Sequence, residues 1–190
     1  MDKKIHLVLA SASPRRRHLL RKLNIPFTVI PSHVSETSRE RNPIRLVRNL
    51  ALRKAKATAR TLEHGIVLGA DTVVVLRRRI LGKPRDARDA SRMLGQLSGT
   101  THAVYTGVAL VEAGTKRALV AYAKSEVRMK KIPPEDLRKL SRKHLDKAGS
   151  YAIQEKRDPI ARVVKGSYDN VVGLPVDLVK ALLKKLSRAF

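Results

Sequence analysis

Two periodicities divide the chain. Short continuous apolar runs read as strands: Ile5 to Ala10, Phe27 to Pro31 and, longest, Ile66 to Leu76. The last is apolar on both faces, as a buried strand is. Elsewhere the spacing shifts to three and four. Pro14 to Leu23 reads as a helix with Ser13 as its cap and Asn24 as its stop. Asn42 and Pro43 open a second helix that runs to about Leu62, with Gly65 as stop. Ile44, Val47, Ala51, Ala55 and Leu62 give that helix its apolar stripe. Asp86 caps a third, Ala87 to Leu97, which buries Ala90, Met93, Leu94 and Leu97 and which Gly99 stops. Asp86 is therefore a cap first and a metal ligand second.

The pattern continues as hairpins. Arg77, Arg78 and Arg79 turn the chain into Ile80 and Leu81. Thr101 to Val111 and Arg117 to Lys130 read as two long antiparallel strands. Pro133, Pro134 and Glu135 begin a basic helix to about Leu145. Ile160 to Val164 is a strand, Gly166 to Asn170 a turn, and Leu174 to Leu186 a closing amphipathic helix. With no repeats, low-complexity tracts or linkers, residues 1–190 read as one α/β domain, a central mixed sheet with helices around it.

Composition narrows the class. Of 190 residues 43% are hydrophobic but only 3% aromatic, so the core is aliphatic. There is no cysteine, which excludes disulfides and thiolate metal sites. The apolar run at the start is short and is followed by Pro and Arg, which suits a strand and not a signal peptide. No apolar run is long enough for a membrane span, and the expected compartment is the cytoplasm. The 41 Lys and Arg against 16 Asp and Glu leave a net charge of +25, a field that attracts polyanions. The basic runs lack interleaved aromatics and zinc spacing, so they do not read as dedicated nucleic-acid recognition.

Candidate chemistry concentrates at strand ends. Ser11, Ser13, Arg15, Arg16 and Arg17 bracket the start of the first helix. Cations oppose the positive end of the helix dipole unless an anion lies between them and the free amides. A bound phosphate answers that; arginines pointing into water are the alternative. Lys54 lies on or beside an apolar stripe, so it either snorkels to solvent or meets an anion. Asp71 sits mid-strand in Gly69-Ala70-Asp71-Thr72 and needs a metal, a lysine or a cage of hydrogen bonds. Glu36 is a surface charge or a functional carboxylate in a loop after a strand, and Lys83 is a second lysine near a strand end.

Seven segments, in order, carry a resemblance: Leu-Ala-Ser-Ala-Ser-Pro-Arg-Arg at 9–16, Lys-Ala at 54–55, Gly-Ala-Asp-Thr-Val-Val at 69–74, Gly-Lys-Pro at 82–84, Leu-Ser-Gly at 97–99, Asp-Lys-Ala-Gly-Ser-Tyr at 146–151 and Val-Val-Gly-Leu-Pro at 171–175. Together they resemble the Maf family of nucleoside triphosphate pyrophosphatases over nearly the whole length. The resemblance implies a long twisted mixed sheet with flanking helices, two lobes around a deep cleft in the manner of inosine triphosphatases, and a homodimer. It implies metal-dependent cleavage between the first and second phosphates of a nucleoside triphosphate. Asp71 would activate water, Glu36 and Asp71 would hold the divalent cation, and Ser11, Ser13, Arg15, Lys54 and Lys83 would hold phosphates. Arg16, Thr72 and Gln154 match the branch that acts on thymidine and uridine triphosphates. Oxygen-only carboxylate ligands favour Mg²⁺ or Mn²⁺ over zinc. A competing reading, prompted by the charge, is a polyanion or nucleic-acid binding module on a degenerate form of the same fold.

Overall fold

The computed structural model describes residues 6–153 and 160–187. Seven strands form one mixed sheet: β1 (Leu7–Leu9), β2 (Phe27–Val29), β3 (Ile66–Leu76), β4 (Arg79–Leu81), β5 (Thr101–Glu112), β6 (Ala118–Met129) and β7 (Ala161–Lys165). Their order is β2-β1-β3-β5-β6-β7, with β4 pairing β3. The helices are α1 (Pro14–Arg21), α2 (Pro43–Ala59), α3 (Ala87–Leu97), α4 (Pro134–Leu140), α5 (Tyr168–Val172) and α6 (Val176–Ser187). This is the expected mixed α/β class. The chain groups into two compact units, Met1–Asp71 with Thr106–Ala123 and Gly173–Phe190, and Thr72–Tyr105 with Lys124–Val172.

In the first unit β1 lies between β2 and β3 and runs parallel to both, with Leu7 opposite Phe27 and Ile66. Ser13 caps α1, its hydroxyl accepting from the Arg16 amide at 3.5 Å. Asn24 ends that segment in the left-handed region, at φ 53°. The core here is built from small residues, Val8, Ala10, Ala51, Ala55, Ala59, Val67, Ala109 and Val111. Small side chains let α2 lie almost on the sheet. A Cβ on Gly69 would fall 2.2 Å from the Ala51 carbonyl oxygen, and one on Gly107 2.2 Å from that of Val47. Glycine at both places is a packing requirement.

Helix α2 stops at Ala59, short of the expected Leu62. The amides of Thr61 and Leu62 turn back to the carbonyls of Thr58 and Ala59, and the Thr61 hydroxyl donates to the Thr58 carbonyl at 2.8 Å. These tighter bonds close the last turn. Gly65, at φ 115°, instead aims the chain into β3.

In the second unit β3 and β4 form a hairpin, Val74 opposite Leu81, through a turn with Arg77 and Arg78 at φ 46° and 69°. Helix α3 has the expected bounds: the Asp86 carboxylate accepts from the Asp89 amide at 2.7 Å, and Gly99 takes φ 68° beyond its end. The core packs Val74, Leu94, Leu97, Val104, Val127, Met129 and Tyr151. Helix α4 ends at Leu140 and not near Leu145, because the Ser141 hydroxyl bonds back to the Arg138 carbonyl at 2.9 Å. The segment expected as a turn at 166–170 is instead the start of α5. Its Ser167 hydroxyl accepts from the Asn170 amide at 3.4 Å, and the buried Asn170 amide group donates to Ser125 Oγ at 2.9 Å and the Val104 carbonyl at 3.2 Å. No helix of the described residues is long and apolar enough to cross a membrane.

Candidate active site

The first unit gathers three charged side chains that the sequence spreads over 36 positions. Asp71 stands at the centre of β3 and is only 6% exposed. Lys54 comes from the apolar face of α2 and is equally buried. Its ammonium donates to Asp71 Oδ1 at 2.6 Å and to Glu36 Oε1 at 2.8 Å. Snorkelling to solvent is thus overturned: the lysine points inward because a buried carboxylate in apolar β-structure must be paired. Glu36, on the loop before α2, keeps its side chain 44% exposed. Arg53 steadies that loop, donating to the carbonyls of Ser35 at 2.9 Å and Thr37 at 3.3 Å.

The β1–α1 loop brings a second group. Ser11 Oγ accepts from the Ser13 amide at 3.2 Å and from the Arg16 guanidinium at 3.3 Å. Arg16 Nε donates to the Gly173 carbonyl at 3.0 Å. Burial draws the Arg16 pKa below its ordinary value; Asp71 and Glu36 oppose that effect and Arg15 adds to it. The arginine therefore senses both carboxylates of the Lys54 cluster, and the two groups share one electrostatic neighbourhood. Gly173 is the residue that motif reading left without a role. Its φ of 123° requires glycine, and its carbonyl fixes the direction of Arg16.

Thr72 and Lys83 belong to the second unit. Thr72 is half-buried in β3, and Lys83 is exposed after β4. Gln154 lies outside the described residues. Asp86 and Asp89 serve the start of α3, where Asp89 accepts from Arg92 and Arg85. That arrangement assigns Asp86 to capping.

A family model described as Maf-like protein matches residues 6–186. The chain belongs to the Maf family. Among curated relatives this Maf chain is 47% identical to the dTTP/UTP pyrophosphatase of Moorella thermoacetica, over 93% of each chain. It is 46% identical to that of Bacillus cytotoxicus, over 94% of each, and 44% identical to that of Pelotomaculum thermopropionicum, over 94% of this chain and 95% of the relative. Among solved structures the Staphylococcus aureus Ham1 protein aligns over 95% of this chain and 98% of its own, with a TM-score of 0.56 at 14% identity. At that identity the likeness is one of fold.

The donor set also bears on a cation. Among the described residues no group of three or more His, Cys, Asp and Glu converges. Two carboxylates do, at Lys54 Nζ. Two carboxylates with oxygen donors suit a hard divalent ion whose remaining positions are filled by water and phosphate.

Proposed function

We propose that this Maf chain hydrolyses dTTP and UTP between the first and second phosphates, releasing the nucleoside monophosphate and pyrophosphate. The observation that carries this reading is the Glu36–Lys54–Asp71 cluster within the electrostatic reach of Arg16. The names of the relatives, similar over nearly their full length, supply the substrate.

In this reading Asp71 is the general base. Lys54 holds one of its oxygens at 2.6 Å, and the other takes the proton of the attacking water. Ser11, Ser13, Arg15, Lys54 and Lys83 bind phosphate oxygens, and the amides at the start of α1 add to them. Arg16, Thr72 and Gln154 discriminate the pyrimidine. Glu36 and Asp71 would hold Mg²⁺ or Mn²⁺, which when bound neutralises phosphate charge and acidifies water. Most of the barrier reduction in phosphoryl chemistry is positioning and charge stabilisation, and this set of residues offers both.

The purified chain with Mg²⁺ and UTP or dTTP should release pyrophosphate. Asp71→Asn should lower kcat by about 10²- to 10⁴-fold, the range for losing a general base, while far-UV circular dichroism stays unchanged. Orthophosphate as the sole inorganic product, or a folded Asp71→Asn protein with full turnover, would contradict the assignment.

A further inference from the structure

The catalytic cluster uses one face of α2 and leaves the other without a role. The inner face buries Leu46, Val47, Leu50, Ala51 and Ala55 together with Lys54. The outer face carries Arg45, Arg48, Arg53, Lys56 and, at the C-cap, Arg60, all exposed. No Asp or Glu occurs anywhere from Pro43 to Arg60. With 3.6 residues per turn, Arg45, Arg48, Lys56 and Arg60 fall within about 120° of the helix circumference, along a line of about 22 Å. Arg53 lies at the border of that stripe.

Among the described residues nothing neutralises it. Among the described residues none of the five forms an ion pair, and the one noted engagement is that of Arg53 with two loop carbonyls. At the N-terminal end of the stripe the placement is also unfavourable for the helix itself, while Lys56 and Arg60 suit the C-terminal end. Arg45 stands in the first turn, at the positive end of the dipole, where no acidic residue offsets it. Arg45 and Arg48 are three apart, and Lys56 and Arg60 four apart, so like charges face each other along the stripe. An external polyanion removes both penalties.

We propose that this face of α2 binds the phosphate backbone of double-helical nucleic acid without reading its bases. Four of the five cations are arginines, whose forked guanidinium groups match phosphate oxygens. A duplex presents a continuous line of negative charge to a straight row of cations. The face has no aromatic side chain on which unpaired bases would stack, which argues for duplex over single strand. A membrane surface is disfavoured because the apolar side of α2 is committed to the core and has nothing to insert.

Fluorescence anisotropy with a short labelled DNA duplex tests this between 50 and 200 mM salt. Four to five phosphate contacts give a slope of log K against log salt of about −4. Replacing Arg45, Arg48, Lys56 and Arg60 together by Gln should remove about 3 to 4 from that slope, with the helical circular dichroism signal unchanged. A control removes the same charge elsewhere, replacing Arg88, Lys131, Arg138 and Arg142 by Gln, and should bind the duplex within about threefold of the parent at 100 mM salt, having kept the phosphate contacts. Equal losses in both variants would assign binding to net charge and overturn the proposal. So would undetectable duplex binding at 50 mM salt, or tighter binding to phosphatidylserine vesicles than to the duplex.

Discussion

Replacing Lys54 by Met tests whether the buried ammonium holds the candidate site together. The substitution keeps an unbranched apolar stem on α2 and deletes the charge between two carboxylates. Asp71, 6% exposed, loses its 2.6 Å bond in surroundings that water scarcely reaches. Glu36 loses a partner too, but its side chain is 44% exposed and turns to solvent at little cost. Removing one member of a buried pair costs about 3–5 kcal/mol. With only one of the two carboxylates stranded, the lower end applies, about 3 kcal/mol. At about 2–4 °C per kcal/mol for a chain of this size, the melting temperature falls by about 6–12 °C. Differential scanning calorimetry at neutral pH measures this. The decisive comparison is the double variant Lys54→Met with Asp71→Asn, in which neither charge remains. It should regain most of the lost stability while kcat for pyrophosphate release stays about 10²-fold or more below the parent. A single variant that melts within a degree of the parent, or a double variant no more stable than the single, would refute the reasoning.

Three further outcomes follow from other parts of the molecule. Burial holds His102 at a pKa of about 4, against an ordinary 6.5; below pH 6.5 the unfolded chain takes up a proton that the folded chain refuses. Stability therefore falls from about pH 6.5 to pH 4, by about 3 kcal/mol in all, and His102→Gln should flatten that limb in urea titrations at several pH values. Gly69→Ala drives a methyl to 2.2 Å from the Ala51 carbonyl and 2.8 Å from the Ala55 amide nitrogen, so α2 must shift and unfolding midpoints should drop by the equivalent of about 3 kcal/mol or more. Gly95→Ala has the opposite sign: in the last turn of α3 its new methyl meets only Leu137 at 3.8 Å, and urea unfolding should show a gain of about 0.5 kcal/mol.

Where a local signal was unambiguous, the chain was legible. The bounds of β3 and α3 follow from an unbroken apolar run and from the Asp86 cap with the Gly99 stop. Helix ends closed by hydroxyls were not, since the Thr61 and Ser141 bonds leave no trace in periodicity. Helix α5 spans five residues, too few for a period to register, and the Ser167–Asn170 spacing was its one signal. At the site, the apolar spacing placed Lys54 on the inner face but could not choose between solvent and an anion. That choice was made by Asp71, 17 positions away. The bond from Arg16 to the Gly173 carbonyl joins positions 157 apart and belongs wholly to the tertiary fold. The His102–Tyr151 hydrogen bond at 2.7 Å, 49 positions apart, was likewise out of reach.

That last pair has a practical corollary. The chain has no tryptophan and four tyrosines, of which Tyr151 alone is fully buried, its ring edge-on to His102 at 5.3 Å between centroids. Rigid, desolvated and hydrogen-bonded, it should dominate the near-ultraviolet spectrum and act as a built-in optical reporter of the second unit. Because the chain is also free of cysteine, a single thiol introduced in the first unit would take a dye without competition. The two halves could then be followed in one cuvette by separate wavelengths.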